Sequence, residues 1–478
     1  MGASTYWRIF LTYLLLATCG AKYIQAPALP GAQPISEADR VYTADQTSNT
    51  VTVIKPLTNQ VLGTIALGES RITDQLNPQY LGVVNSHGLG FSLDGKYLSH
   101  VSVTTNTLTV IRTLNNSIVS QTSVGRASHE AFFAHDSRTV WVACRGTNFV
   151  DVVDGIEGIV QDQIKTDPGP SKVLFSPDGK TAYVNHIKSP TLSIIDVATR
   201  RVVDTIEGLA DVFSSDMMIS ADGLRLWVAH KMVGNTTVID LETRQIVTVL
   251  ETGKETNHPM FAIINGTTYG FVTVAALNET KVYRQDTPSS IPVFVKSIPA
   301  SGIEPHGIWV SPDNSRIYSV NEHSDTLDVV DASSLSVVST LNVGQESQAV
   351  VYVAGAVPSS AVAPATGTEN LGQQGLGKRV ENRLINVTNS TRATALITVR
   401  ELNGLDMFQI IGRTLDINTT YVATAVCNGC NGARLRILSF NATMPMPGDL
   451  GCAVAPQVLS FLPFFANYNV DSIALGKA

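Results

Sequence analysis

Charge is scarce in this chain. Only 15% of its 478 residues are Asp, Glu, Lys or Arg, the net charge is −7, and no stretch gathers Lys and Arg together. That balance argues against nucleic acid and anionic membrane surfaces as partners, because both are held by dense cationic contacts. Cysteine is scarce too, at five residues, too few for a disulfide-built scaffold. Helical periodicity between apolar segments is missing, which excludes a Rossmann arrangement. No G-x-S-x-G elbow, P-loop, H-E-x-x-H or EF-hand loop occurs. Beyond the N-terminus no apolar run reaches the length of a membrane-spanning helix. The short run Val458 to Ala466 is followed by Asp471 and Lys477, unlike a GPI tail.

What is present favours β-structure in a globular chain. Hydrophobic residues make up 44%, with abundant Val, Thr, Ser and Gly. At the N-terminus Arg8 precedes the apolar run Ile9 to Ala17, with Gly20 and Ala21 behind it. Residues 1–21 therefore read as a secretory signal peptide. Leu16 to Gly20 also resembles a lipobox, which would anchor the chain by lipid on Cys19. Eight N-x-[ST] sequons follow, at Asn115, Asn235, Asn265, Asn278, Asn386, Asn389, Asn418 and Asn441. Beside a signal peptide they point to a secreted glycoprotein.

One motif recurs: FSLDGKYLSHV, FAHDSRTVWVA, FSPDGKTAYVN, ISADGLRLWVA, IINGTTYGFVT and VSPDNSRIYSV. Its turn residue falls at Asp94, Asp136, Asp178, Asp222, Asn265 and Asp313, at spacings of 42, 42, 44, 43 and 48. Each unit predicts four strands: an alternating strand, an Asp-Gly type turn, and three more strands with polar turns between them. A period of this length suits a propeller blade. Third-and-fourth-strand pairs occur seven times, complete first strands only six. The unpaired QAVVYVAG, Gln348 to Gly355, is expected to complete the first unit and close a seven-bladed ring. VYTADQTSNTVTVI, AYVNHIKSPTLSIID and IYSVNEHSDTLDVVD resemble the YVTN β-propeller repeat, over about 38–355. The resemblance implies the fold and leaves function open, since this repeat serves surface-layer proteins, lactonases and oxidoreductases alike.

Residues 356–378 read as a linker and 379–478 as a small β-sandwich-like domain. In an oxidising compartment Cys452 is expected to pair with Cys427 or Cys430. No His follows His323, so the C-x-x-C there lacks a complete zinc set.

The nine histidines follow the repeat. His87, His129 and His306 each precede their turn Asp by seven residues, and His258 precedes Asn265 by seven; Ser171 and Ser215 hold that place in the other two full units. His186 and His230 lie eight residues after their turn Asp, and His323 ten after its own. In an antiparallel hairpin these two places emerge on the same face, which predicts an imidazole-rich rim at one mouth of the channel. His100 and His135 do not fit the pattern. Three readings of the rim stay open: a copper or zinc site with Glu130, Glu304 and Glu322 beside it, histidines filling a structural slot, and a metal-free ligand site. The expected function is a secreted or surface binding protein, its partner an extracellular protein, glycan or small molecule. The alternative is an enzyme on the same rim. EPHGIWVSPDNSRIYSVNE resembles a lactonase-propeller blade, with Arg126, Lys172 and Lys188 the nearest cations by register, and a metal-dependent oxidoreductase is the other subclass.

Overall fold

The computed structural model describes residues 31–67, 86–358, 367–402, 406–427, 433–442, 458–462 and 470–478. Among them it is all-β, with one 3-10 turn at Ala275–Leu277 and antiparallel sheets of three or four strands. The architecture is that of a β-propeller.

The unit formed by Pro170–Phe175, Thr181–His186, Thr191–Asp196 and Arg201–Glu207 shows why each repeat folds as a sheet. Its first two strands are almost wholly buried, and its fourth is largely exposed. Period-two apolar residues can therefore pack on both faces near the axis, while the rim stays polar. The hairpin turn is built by side-chain chemistry. Ser176 Oγ donates to Asp178 Oδ1 (2.6 Å), which also accepts from Lys180 N, and Gly179 takes φ +70°. Ser92–Asp94, Ser220–Asp222 and Ser311–Asp313 repeat that bond.

Sheets of this kind succeed one another from Arg40 to Val353. In the first, Ser347–Val353 pairs antiparallel with Arg40–Asp45, setting Val351 against Tyr42. The innermost strands touch in the order Ser347–Val353, Gly88–Phe91, Ser128–Phe133, Pro170–Phe175, Asp216–Ile219, Thr256–Ile264, Pro305–Val310, and back to Ser347–Val353. Trp141 meets Phe175 and Trp227 meets Phe261 edge-on across sheet boundaries, at 5.1 and 5.2 Å. The innermost strands also approach very closely. A Cβ on Gly88 would lie 2.2 Å from the His129 carbonyl oxygen, so only glycine allows that contact.

Beyond residue 378, Val380–Asn386, Thr394–Glu401, Asp406–Arg413 and Val458–Leu462 form one sheet. Ala433–Asn441, Thr420–Cys427 and Val470–Lys477 form another, and both feed one apolar core that includes Ile397, Phe408, Tyr421 and Leu475. The described part of the 356–378 segment does not hang free. Gly372 bridges Thr64 on the outer edge of the first sheet, Gln374 Nε2 donates to Ser48 O, and Asn116 Nδ2 donates to Gly367 O and Glu369 O. This strap leads from the turn of Asn115 and Asn116 to the opposite end, where the second sheet system begins.

Six sequon asparagines, at 265, 278, 386, 389, 418 and 441, are exposed, and Asn115 and Asn235 are half-buried. The signal segment, Cys19, Cys430, Cys452 and the side chain of Cys427 lie outside the described residues. Cys144 is a buried free thiol. No helix among the described residues is long and apolar enough to cross a membrane.

Candidate functional site

The structure brings His87, His129, His258 and His306 together. Ring centroids are 4.3 Å apart for His87 and His129, 4.7 Å for His258 and His306, and 6.3 Å for His87 and His306. All four are buried where the innermost strands begin. A belt of hydrogen bonds explains their place. His129 Nδ1 donates to Ser171 O (3.0 Å), Ser171 Oγ donates to Ser215 O (2.8 Å), and His306 Nδ1 donates to Gln348 O (2.7 Å). Each of these side chains grips the same register position of the next sheet. Serine performs that task as well as histidine. What imidazole adds is the second nitrogen, Nε2, which the belt leaves unused in His129 and His306. His258 Nδ1 lies 3.2 Å from Asp216 Oδ2, a carboxylate that orients the ring, and His87 Nδ1 has no hydrogen-bond partner among the described residues.

The rings are held neutral. Burial, and then Arg145, lowers His87 and His129 well below the ordinary imidazole value. Burial followed by the neighbouring His306 does the same for His258, and burial and Lys231 bring His306 to about 3. Neutral imidazoles keep the lone pairs that bind metals.

Next to the rings, one position further along three consecutive innermost strands, stand Glu130, Lys172 and Asp216. Lys172 Nζ donates to both Asp216 oxygens at 3.0 Å, and its ammonium lies 5.6 Å from the Phe132 ring centre. Burial raises the Glu130 carboxyl well above the ordinary carboxylate range despite the pull of Lys172, which favours its protonated form. Glu130, Lys172, His258, Trp309 and Val350 are among the residues lining a narrow cavity. Arg145 closes the group: Nε donates to Ser171 Oγ and Nη2 to Ser215 O.

His186 and His230 do not join the cluster. Each sits at the outer end of a second strand and satisfies its own sheet. His186 Nδ1 donates to Thr191 O (3.0 Å), while His230 contacts Thr237 Oγ1 (2.7 Å) and Ser214 Oγ. The shared face was legible from hairpin geometry, but the radius was not, because the second strand is one layer further from the axis. His100 bonds Ser86 within its sheet. Burial holds His230 down at about 4, against about 6.5 in an unfolded chain. Unfolding must then take up a proton as pH falls, so stability present at pH 7 erodes between pH 6.5 and 4, by up to about 1.4 kcal/mol per pH unit. A His230→Gln variant is expected to flatten that slope by about one proton in urea titrations at several pH values. An unchanged slope would mean that His230 already charges in the fold.

A second cluster was only half visible in sequence. Glu304, Glu322 and His323 are buried together, with His323 Nε2 2.5 Å from Glu304 Oε2 and 3.7 Å from Glu322 Oε1. The C-terminal sheet presses on it. Arg413 donates to Glu255 (2.9 and 2.7 Å) and to Glu304 Oε1 (3.0 Å), and Arg400 donates to Asp325 Oδ1 and to Glu322 O. Sequence reasoning missed Arg145, Lys231, Arg400 and Arg413. The first two had a signal: Arg145, Lys231 and Glu322 each stand nine residues after their turn Asp. Of the cations read by register, Lys172 is engaged with Asp216, while Arg126 and Lys188 are exposed.

No family profile matches the chain, and no curated protein matches it. Similar solved structures are β-propellers. Hydrazine synthase of Kuenenia stuttgartiensis is 19% identical, over 68% of this chain and 99% of that one, with a TM-score of 0.53. The periplasmic gluconolactonase of Pseudomonas aeruginosa is 16% identical, over 66% and 99%, at 0.52. A putative 6-phosphogluconolactonase of Bacteroides fragilis is 10% identical, over 68% and 100%, at 0.54. With each of these proteins the chain shares the propeller fold.

Proposed function

We propose that the chain is a secreted or cell-surface glycoprotein whose seven-bladed, YVTN-type propeller, closed by Ser347–Val353, holds a copper or zinc ion at one channel mouth. His87 and His129 supply nitrogens that converge with a Glu130 oxygen within 4.8 Å, His258 and His306 complete the imidazole rim beside them, and the 379–478 β domain sits over the same mouth. One observation carries this reading. Ser171 fills the histidine position of the belt with a hydroxyl, so the belt by itself requires no imidazole. Four imidazoles, kept neutral and gathered from four sheets, present spare nitrogens that suit a borderline transition metal. The signal segment, the sequons and the rigid ring support an extracytoplasmic binding role toward a protein, glycan or small molecule.

Elemental analysis of protein purified without chelators or a His-tag tests this. Close to stoichiometric copper or zinc is expected in the native chain, and less by one ion per chain in His87→Ala/His129→Ala. Equal metal in both, or none in either, would leave the four rings without a metal-binding role.

A hydrolytic reading also has an observation behind it. Glu130, whose carboxyl burial shifts toward the protonated form, lines the cavity with Lys172 and His258, which places a candidate proton donor beside an imidazole. Two of the similar structures are named as lactonases. Lactone hydrolysis lost in Glu130→Gln would favour it over pure binding.

A further inference from the structure

The described residues hold a second group of convergent ligands, separate from the four imidazoles and linked to them by one carboxylate. Glu304, Glu322 and His323 place ligand atoms within 4.8 Å of one another, all buried. Glu322 stands between the groups, with Oε1 3.7 Å from His323 Nε2 and Oε2 4.0 Å from His306 Nε2.

Hydrogen bonding alone leaves this group unsatisfied. Thr398 Oγ1 donates to Asn382 Oδ1 (2.8 Å), so toward His323 Nδ1 (3.3 Å) it can only accept. The ring's Nδ1 therefore carries its proton, and in the neutral tautomer Nε2 is a lone pair. His323 Nε2 faces Glu304 Oε2 at 2.5 Å, the distance of an ion pair, and neither atom has another hydrogen-bond partner among the described residues. A pair held this close in a dry site needs positive charge between its atoms, either a proton on the ring or a bound cation. The wider charge count agrees. Glu255, Glu304, Glu322, Asp325 and Glu346 face the fixed cations Lys231, Arg400 and Arg413, so the carboxylates outnumber the fixed cations by two, and a protonated His323 supplies only one of the missing charges. Separations of 2.5 and 3.7 Å bracket the roughly 3.3 Å kept by tetrahedral ligands about 2.0–2.1 Å from zinc.

We propose that Glu304, Glu322 and His323 form a second divalent-cation site, in which Glu322 can bridge to an ion on His306. Two carboxylates and one imidazole suit zinc, manganese or ferrous iron better than a cuprous ion. A shared carboxylate is the geometry of paired sites about 3.5–4 Å apart. The C-terminal sheet positions the ligands, since Thr398 and Asn382 hold His323 and Arg413 holds Glu304 Oε1. This site goes beyond the proposed function and does not depend on the imidazole site being filled.

The probe is Zn2+, titrated calorimetrically into the full chain after chelator treatment and chelator removal. Glu304→Gln/His323→Gln is expected to bind one ion fewer than the native chain, and His87→Ala/His129→Ala to keep one. A folded Glu304→Gln/His323→Gln chain that binds as many ions as the native chain overturns the proposal, and the imidazole site then stands alone. If that variant does not fold, His87→Ala/His129→Ala decides. One retained ion, with a Co2+ spectrum of mixed nitrogen and oxygen ligation, supports the second site. No retained ion shows that a proton alone fills the gap between His323 and Glu304. A native chain that binds no Zn2+ overturns this site, whatever copper shows for the other.

Discussion

Replacing Arg400 with methionine is expected to destabilise the folded chain by about 3–5 kcal/mol, the usual cost of breaking a buried ion pair from one side. Arg400 is fully buried. Its Nε donates to Asp325 Oδ1 (3.2 Å), Nη1 to Gln409 Oε1 (2.7 Å) and Nη2 to Glu322 O (2.7 Å), so one guanidinium joins the C-terminal sheet to the propeller. Methionine fills much of the volume but leaves Asp325 charged, dry and without its cation. The Asp325 carboxyl is already raised by burial with Arg400 present, and without it the group must take a proton or draw in water. Hydrogen exchange should localise the loss to Thr394–Glu401, Asp406–Arg413 and the loop around Glu322. A change under about 1 kcal/mol, with exchange unaltered there, would show that the two parts are held together by something other than this contact.

Lys172→Met should cost a similar amount, about 3–5 kcal/mol, through a different mechanism. Here the stranded partner is Asp216, left with His258 Nδ1 at 3.2 Å, the Met217 N–H and the more distant Arg145 charge. Burial already holds Asp216 at about 6, above the ordinary carboxyl value, even with Lys172 opposing the shift. A carboxyl raised in the folded state is most favourable below the unfolded value near 3.9, and its contribution is lost as pH rises through the folded value. The penalty of Lys172→Met should therefore grow from pH 5 to pH 8. The double variant Lys172→Met/Asp216→Leu should recover most of the stability, because an apolar pair can replace a buried ion pair at little cost. It should also loosen His258, and with it the imidazole cluster. Urea titration of the two single variants and the double variant at both pH values checks this. A strictly additive double variant would mean that the two residues do not act as a pair.

Much of the architecture was legible because a repeat states its own rules. Ser176, Asp178 and Gly179 make a turn with local chemistry, and the same residues recur where the same turn is needed. Alternation then fixes which face of each strand is buried. The unpaired strand at the end of the repeat array was bound to pair with Arg40–Asp45, since both edges would otherwise be open.

The site was legible only along the chain axis. Register placed His87, His129, His258 and His306 at one end, and hairpin geometry put His186 and His230 at that same end. Register cannot say how far from the axis a residue lies, and radius separates the imidazole cluster from two histidines tied into their own sheets. Nor could it show that Glu130, Lys172 and Asp216, which are sequence-distant, would share one dry pocket, where desolvation shifts their protonation.

Sequence by itself determined the repeat, the turns, the strand pairing and the end of the ring at which the histidines gather, because each follows from interactions between residues close in the chain or repeated at a fixed period. The tertiary structure decided which histidines meet, which charges are stranded from water, and that Arg400 and Arg413 of the last hundred residues reach the channel mouth at Glu322 and Glu304. Those outcomes depend on closing a ring and docking a second sheet on it, and no local pattern encodes the distance between surfaces that only folding brings together.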